Sequence, residues 1–327
     1  MKKVKLIVIL GPTASGKTEF GLKLAKKFKG EIISADSRTI YKGMDIATAK
    51  PLQDKKLKIK NKKHKLKTKK NEILKPLIAS GIPHYMIDVV QPNKEFTVAE
   101  FKQKAIKIIK DIHRRKKVPF LVGGTGLYIS ALVDNLEIPR VAPDKKLRKK
   151  IEKMIARHGL NYLWQKLIKL DPEAKKFVQK ENPRRIIRAM EVCLKSKKPF
   201  SELRKKGQPL FDTLQIGVKF SRGTLYERIN QRVDKMIKAG LVKEVKRLTK
   251  KYSPDLPSMS GIGYQEIIFY LQGKITLLEA IDLIKKNTRH YARRQISWFR
   301  RDKRIRWIKK EKEAEKLIKE FFSLKAP

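Results

Sequence analysis

The chain is short of cysteine, histidine and acid. A single cysteine, Cys193, stands among 327 residues, so no disulfide framework exists and a reducing compartment is expected. Five scattered histidines and that one cysteine give no zinc-ligand spacing. Only 32 Asp and Glu face 81 Lys and Arg. No run is long and apolar enough to cross a membrane. The apolar stretch after Met1-Lys2-Lys3 is too short for a signal peptide and runs into a glycine loop. The expectation is a soluble, cytoplasmic protein.

What is abundant is positive charge, a formal +49. A lysine habit can raise the basic count but would not hold Asp and Glu so low. A field of that sign attracts polyanions, nucleic acid foremost. The length allows one large core or two domains.

The strongest local signal lies near the N-terminus. The β-rich run Val4 to Leu10 feeds Gly11-Pro12-Thr13-Ala14-Ser15-Gly16-Lys17-Thr18, and a helix-forming stretch follows from Glu19 to about Phe28. Strand, glycine loop and helix together satisfy the P-loop pattern. Glycines let successive N–H groups and the helix N-terminus converge on one phosphate group. Lys17 adds a mobile charge, and the Thr18 hydroxyl suits a phosphate-bound magnesium ion. A chance match in a lysine-rich chain would not also place the strand and helix correctly. The sequence therefore predicts binding of a diphosphate or triphosphate.

Further strands are expected at Glu31–Ser34, Pro83–Val90, Val118–Val122 and Leu214–Phe220. Between them Thr97-Val98-Ala99-Glu100 reads as a capping box opening a helix to about Arg115. Alternating strands and helices predict a parallel sheet flanked by helices. Asp36 follows the second strand and so falls on the same sheet edge as the P-loop, a place for chemistry. Asp88 follows an apolar run, as a magnesium-holding carboxylate would, or else caps a turn. Lys55–Lys70 holds ten lysines in sixteen residues. That composition predicts a solvated insertion, compatible with a polyphosphate-binding arm.

Strand signals vanish from about Ala142 to Ser201, where Asp144, Asp171 and Asn182-Pro183 read as helix starts. The expected organisation is a P-loop core over 1–141 with the lysine insertion at about 52–80. A helical insertion follows over 142–201, and the core resumes over 202–327. In the insertion Arg185 and Arg188 share one helix face, either solvated or tracking phosphates. Arg228 and Arg232 stand one turn apart on a later helix. Met259–Glu266 is another glycine turn entering a helix. Thr288–Arg301 interleaves arginines with aromatics, which suits RNA phosphates and unstacked bases; the alternative is a solvated helix with Ile296 and Phe299 in the core.

In this order the blocks resemble the tRNA dimethylallyltransferases of bacterial type, which prenylate the adenosine next to the anticodon. The resemblance rests on Gly11–Thr18, Asp36-Ser37, Tyr41–Pro51, Gly123–Tyr128, Asn182–Arg185, Arg228–Arg232, Ser260–Gln265 and Arg293–Arg300. It spans nearly the whole chain, and the combination is far more specific than the P-loop alone. It implies a P-loop NTPase-like sheet with an inserted all-helical subdomain, acting on the anticodon stem-loop of tRNA; binding tRNA requires no more than a monomer.

It also implies that Gly11, Thr13, Ala14, Ser15, Gly16, Lys17 and Thr18 hold the diphosphate of dimethylallyl diphosphate, with Mg2+ at Thr18 and no ATP consumed. Asp36 would take a proton from the adenine N6 amine or hydrogen-bond it, and Arg232 would sit on the departing pyrophosphate; these two with Lys17 and Thr18 form the implied catalytic set. The implied tRNA contacts are Asp36, Ser37, Arg38, Thr39, Thr125, Arg184, Arg185 and Arg188. They continue with Gly263, Tyr264 and Gln265 and with Arg293, Arg294 and Arg300; Arg148 is a further carry-over. Three features depart from the family pattern: Arg38-Thr39 where Met-Gln is common, His84-Tyr85 where two histidines are common, and the lysine insertion.

The rival readings are a P-loop kinase acting on a nucleotide or nucleic-acid end, with Asp88 on magnesium and Asp36 as base, a relative that prenylates free adenylate, and a non-catalytic RNA-binding protein. The kinase leaves the basic-aromatic helix unexplained, free adenylate does not need a +49 chain, and an intact Lys17-Thr18 pair argues against the third.

Overall fold

The computed structural model describes residues 3–54, 66–67, 73–139 and 141–323. The lysine-rich stretch, apart from the backbone of the short pair β3 (Leu66–Lys67) and β4 (Ile73–Leu74) at and just beyond its end, lies outside the described residues. The described residues divide into two units, one formed by 1–133 with 210–327 and the other by 134–209.

The first unit is built on a seven-stranded sheet, in the order β5 (Leu77–Ala79), β6 (Ile82–Tyr85), β2 (Gly30–Ala35), β7 (Val118–Gly123), β1 (Val4–Leu10), β8 (Phe211–Val218), β9 (Arg306–Ile308). All neighbours pair in parallel except β5 with β6. Interior strand β1 pairs Leu10 with Gly123 of β7 and with Gly217 of β8. Both faces are covered, which is why its strands read as continuous apolar runs. Alternate residues point to opposite faces. Leu6, Val8 and Leu10 pack with α2 (Val98–Arg114) and α3 (Gly126–Val133). Ile7 and Ile9 pack with α1 (Lys17–Lys27) and α10 (Glu311–Ser323). The expected Thr97 capping box opens α2. A third cluster joins α6 (Arg222–Lys238), α7 (Leu241–Thr249), α8 (Tyr264–Leu271) and α9 (Leu277–Phe299) with Ile40, Tyr41 and Met44 of the loop after β2.

The strand expected over Pro83–Val90 stops at Tyr85. Met86 and Asp88 take positive φ values of 64° and 52°, so the chain turns and pairs instead with the loop after β2, through the Thr39 and Ile40 carbonyls and the Val90–Tyr41 bridge.

The second unit is helical. It contains α4 (Lys145–Leu170), broken at Gly159 (φ 78°, ψ 165°), a 3-10 turn over Pro172–Lys176, and α5 (Pro183–Ser196). Asp144 and Asn182 cap α4 and α5 through their side chains. Asp171 instead accepts from the Ser201 amide and hydroxyl. The unit extends beyond the stretch expected from strand signals, 142–201, because the Leu136–Lys206 bridge and the Asn135–Gln208 hydrogen bond close its base.

Candidate active site

The carboxyl ends of β1, β2 and β7 open into one cleft, where a parallel sheet places its ligand. Thr13, Lys17 and Thr18 of the P-loop line it together with Asp36, Arg232 from α6, and Tyr291 and Gln295 from α9. Ile32, Ser34, His84 and Ile87 also line it, with Thr48, Ala49 and Pro51 contributed by the loop after β2.

The loop itself is tightly wound. Ala14 and Gly16 both take the left-handed conformation, at φ 61° and 75°. A non-glycine there costs about 1–3 kcal/mol and persists only when its surroundings enforce it. Gly16 caps α1, whose first turn leaves its N–H groups without intrahelical partners. Lys17 Nζ rests on the Pro12 carbonyl at 3.1 Å. Burial lowers its pKa to about 8; Asp36 pulls it back up and Arg232 pushes it further down. Burial likewise lowers Arg232, opposed by Asp36. Two cations and one carboxylate therefore face each other in a poorly hydrated space that favours a bound anion.

Asp36 Oδ1 accepts the Arg38 N–H at 2.8 Å, which fixes the carboxylate at the end of β2. Beside it the Thr125 hydroxyl oxygen accepts the Ser37 N–H at 3.0 Å. Tyr291 is pushed up to about 12 by burial and then by Asp36, with a Thr125 hydrogen bond opposing. It is a neutral phenol at working pH. Exposed Arg228 stacks on Phe220 at 4.5 Å and lies beside Gly16.

Thr18 is exposed at the cleft. Among the described residues no group of three His, Cys, Asp or Glu side chains converges as a metal site. One threonine hydroxyl with a carboxylate in the same cleft suits magnesium held mainly by substrate phosphates and water. The donor set fits that ion and does not fit zinc.

A family model described as IPP transferase matches residues 39–302. The tRNA dimethylallyltransferase of Carboxydothermus hydrogenoformans is 44% identical over 319 residues, covering 97% of this chain and 95% of the relative. That of Acetivibrio thermocellus is 43% identical over 320 residues, covering 96% and 95%. The chain belongs to the tRNA dimethylallyltransferase family. The crystal structure of the full-length tRNA isopentenylpyrophosphate transferase of Bacillus halodurans has a TM-score of 0.68 at 37% identity, covering 98% of this chain and 97% of that one. A eukaryotic dimethylallyltransferase, captured acting on tRNA, has a TM-score of 0.68 at 29% identity, covering 90% and 70%.

For this dimethylallyltransferase-family chain the expected site residues separate by environment. Lys17, Thr18, Asp36 and Arg232 share the cleft with Thr13. Ser15 Oγ is buried without a partner, tucked under the loop against Gly11. Arg184, Arg185, Gln265, Arg293, Arg294 and Arg300 are exposed.

Others are engaged within the protein. Arg38 donates to the Pro257 and Ser258 carbonyls at 2.8 and 3.2 Å. Thr39 is buried against Ser34, 3.1 Å away. Arg148 and Arg188 both hold the fully buried Glu191, at 2.8 and 2.5 Å. Gly263 is buried, and Tyr264, 1% exposed, points its hydroxyl at Glu244. These residues, expected on RNA, each have a partner within the protein; for Arg148, Arg188 and Tyr264 that partner is a buried carboxylate, which needs a donor.

Asp88, the kinase reading's magnesium ligand, is ion-paired to Lys50 at 2.5 Å. The sequence does not place Tyr291, Gln295 and His84 in the cleft, although the first two lie in the basic-aromatic block expected to meet RNA. Gln295 did leave a signal: it is an amide in the apolar stripe Ile284, Ala292, Gln295, Phe299. His84 left only its strand and its place in the His84-Tyr85 departure from the family pattern.

Proposed function

We propose that this chain transfers the dimethylallyl group of dimethylallyl diphosphate to the N6 amine of the adenosine next to the anticodon of tRNA, releasing pyrophosphate. One observation carries the reading: a phosphate-cradling loop and the Asp36 carboxylate open into a single cleft with Arg232, in a chain of this family.

An exocyclic amine is a weak nucleophile because its lone pair is delocalised into the ring. Asp36 holds the N–H and accepts the proton as nitrogen bonds to the allylic carbon. The carbon–oxygen bond breaks as that bond forms, and the electron pair leaves with pyrophosphate. Lys17, Arg232 and the first N–H groups of α1 meet the developing charge. Magnesium, with Thr18 in its shell, would supply further neutralisation of the diphosphate. The adenine must leave the anticodon-loop stack to reach the cleft. Exposed Arg184, Arg185, Arg293, Arg294 and Arg300 supply phosphate contacts for the tRNA.

The test is to incubate the protein with magnesium, dimethylallyl diphosphate and unmodified tRNA, then digest and weigh the nucleosides. Parallel reactions carry AMP in place of tRNA, or ATP in place of the prenyl donor. A dimethylallyl increment on tRNA adenosine alone is expected. Phosphate transfer from ATP, or prenylation of AMP only, overturns the reading.

A further inference from the structure

The buried stripe of α9 carries one polar side chain, Gln295, 6% exposed. Its Oε1 accepts the Thr13 N–H at 2.8 Å, and its Nε2 donates to the Gly124 carbonyl at 2.8 Å. The two partners fix the amide orientation, since a flipped amide would set donor against donor and acceptor against acceptor. One side chain thus clips the P-loop to the glycine turn that follows β7. The turn is shaped for it: a methyl group on Gly124 would collide with Nε2. Thr13 immediately precedes Ala14, the residue held at φ 61°. A strained loop residue keeps its conformation only when neighbouring contacts over-determine it.

We propose that Gln295 is a positioning residue of the diphosphate site. It spends the Thr13 N–H on itself, so that amide is not a phosphate donor. In exchange it anchors the loop at the point where the chain curls, which sets the direction of the N–H groups from Gly16 to Thr18. Gln295 therefore acts through the loop and not on the reacting atoms. The inference rests on the P-loop being the diphosphate site.

The experiment uses the full chain and inorganic pyrophosphate with magnesium, measured by titration calorimetry. It compares the native protein with Gln295→Ala, Gly124→Ala and the double variant. Gln295→Ala should raise the pyrophosphate dissociation constant, and the KM for dimethylallyl diphosphate, tenfold or more. The tRNA dissociation constant should stay within about twofold, and unfolding should remain cooperative. Gly124→Ala displaces the amide from the other side and should weaken pyrophosphate similarly. In the Gln295→Ala background it should add less than it does in the native protein, because the amide it displaces is gone and only its approach to the Gly11 carbonyl (3.2 Å) and to Lys17 remains.

A folded Gln295→Ala protein that binds pyrophosphate within twofold of native overturns the proposal. So does a fall in kcat at unchanged KM, or full additivity of the two substitutions. If the native protein itself does not bind pyrophosphate, the reading of the loop as a diphosphate site fails, and the inference falls with it.

Discussion

Tyr264 donates its hydroxyl to Glu244 at 2.7 Å, and the same carboxylate accepts the N–H groups of Asp45 and Ile46 at distances of 3.0–3.2 Å. Glu244 on α7 thereby anchors the loop that delivers Thr48, Ala49 and Pro51 to the cleft. From within the loop, Lys50 adds bonds to the Tyr41 carbonyl and to Asp45 and Asp88. Burial, reinforced by Glu244, drives the Tyr264 phenol far above its usual range, so it serves as a permanent donor. Removing it in Tyr264→Phe leaves a buried carboxylate with one partner fewer. Stability should fall by about 1–3 kcal/mol in urea unfolding, with tRNA affinity within about twofold of native. A large loss of tRNA affinity in a protein of native stability would restore Tyr264 as an RNA contact.

Lys17 carries a pH signature. Its pKa is near 8 in the free protein, whereas the diphosphate needs the ammonium form. Affinity for pyrophosphate should therefore drop as pH rises through about 8, and binding near that pH should take up a proton. Lys17→Arg remains charged throughout and should lack the Lys17 component, so the difference between the two proteins isolates it. Calorimetry in buffers of different ionisation enthalpy reads the proton uptake. For folding the sign is opposite. The unfolded chain holds this proton up to 10.5, so the Lys17 contribution to stability rises with pH between those values.

Asp36→Ala should lower kcat by about 10²–10⁴-fold, the range for losing a general base, and spare tRNA binding. That pattern marks an interaction made in the transition state. Arg232→Ala should act chiefly on diphosphate affinity and departure. Single-turnover and binding measurements separate the two, and native turnover in Asp36→Ala would remove Asp36 from its role as base.

The arginines of the helical unit should divide into two kinds. Exposed Arg184 and Arg185 should each lower the slope of log affinity against log salt by about 0.7–0.9 when changed to alanine, if each meets one phosphate. Arg148 and Arg188 should behave as stability residues instead. Changing both to methionine strands the fully buried Glu191 and should cost about 3–5 kcal/mol. Burial pushes Glu191 up, but bonds from Arg148, the Asp144 N–H and Arg188 outweigh it and leave it below the usual 4.5. Its contribution should be complete above pH 4.5 and fade as pH falls through the lower folded value. Filter binding across salt and thermal unfolding across pH read the two effects.

The P-loop, the parallel sheet and the helix caps were legible because each is a local pattern. A short continuous apolar run, a glycine at a left-handed position and a capping hydroxyl act within a few residues of chain, so adjacent letters record them. The order of the glycine turns and basic blocks likewise carried the family.

Tertiary structure alone decided which polar side chains face the cleft and which serve the interior. Arg184, Arg185 and Arg188 lie within five positions on one helix, yet only Arg188 finds Glu191, because helical phase and the buried acid select it. Gln295 sits between two exposed arginines and Ile296, but its partners are 282 and 171 residues away. Tyr264 lies in a motif expected on RNA and is claimed by Glu244. A buried donor or acceptor must be paired wherever the fold places it, and the partner is chosen by how distant strands and helices pack, which no neighbouring residue encodes.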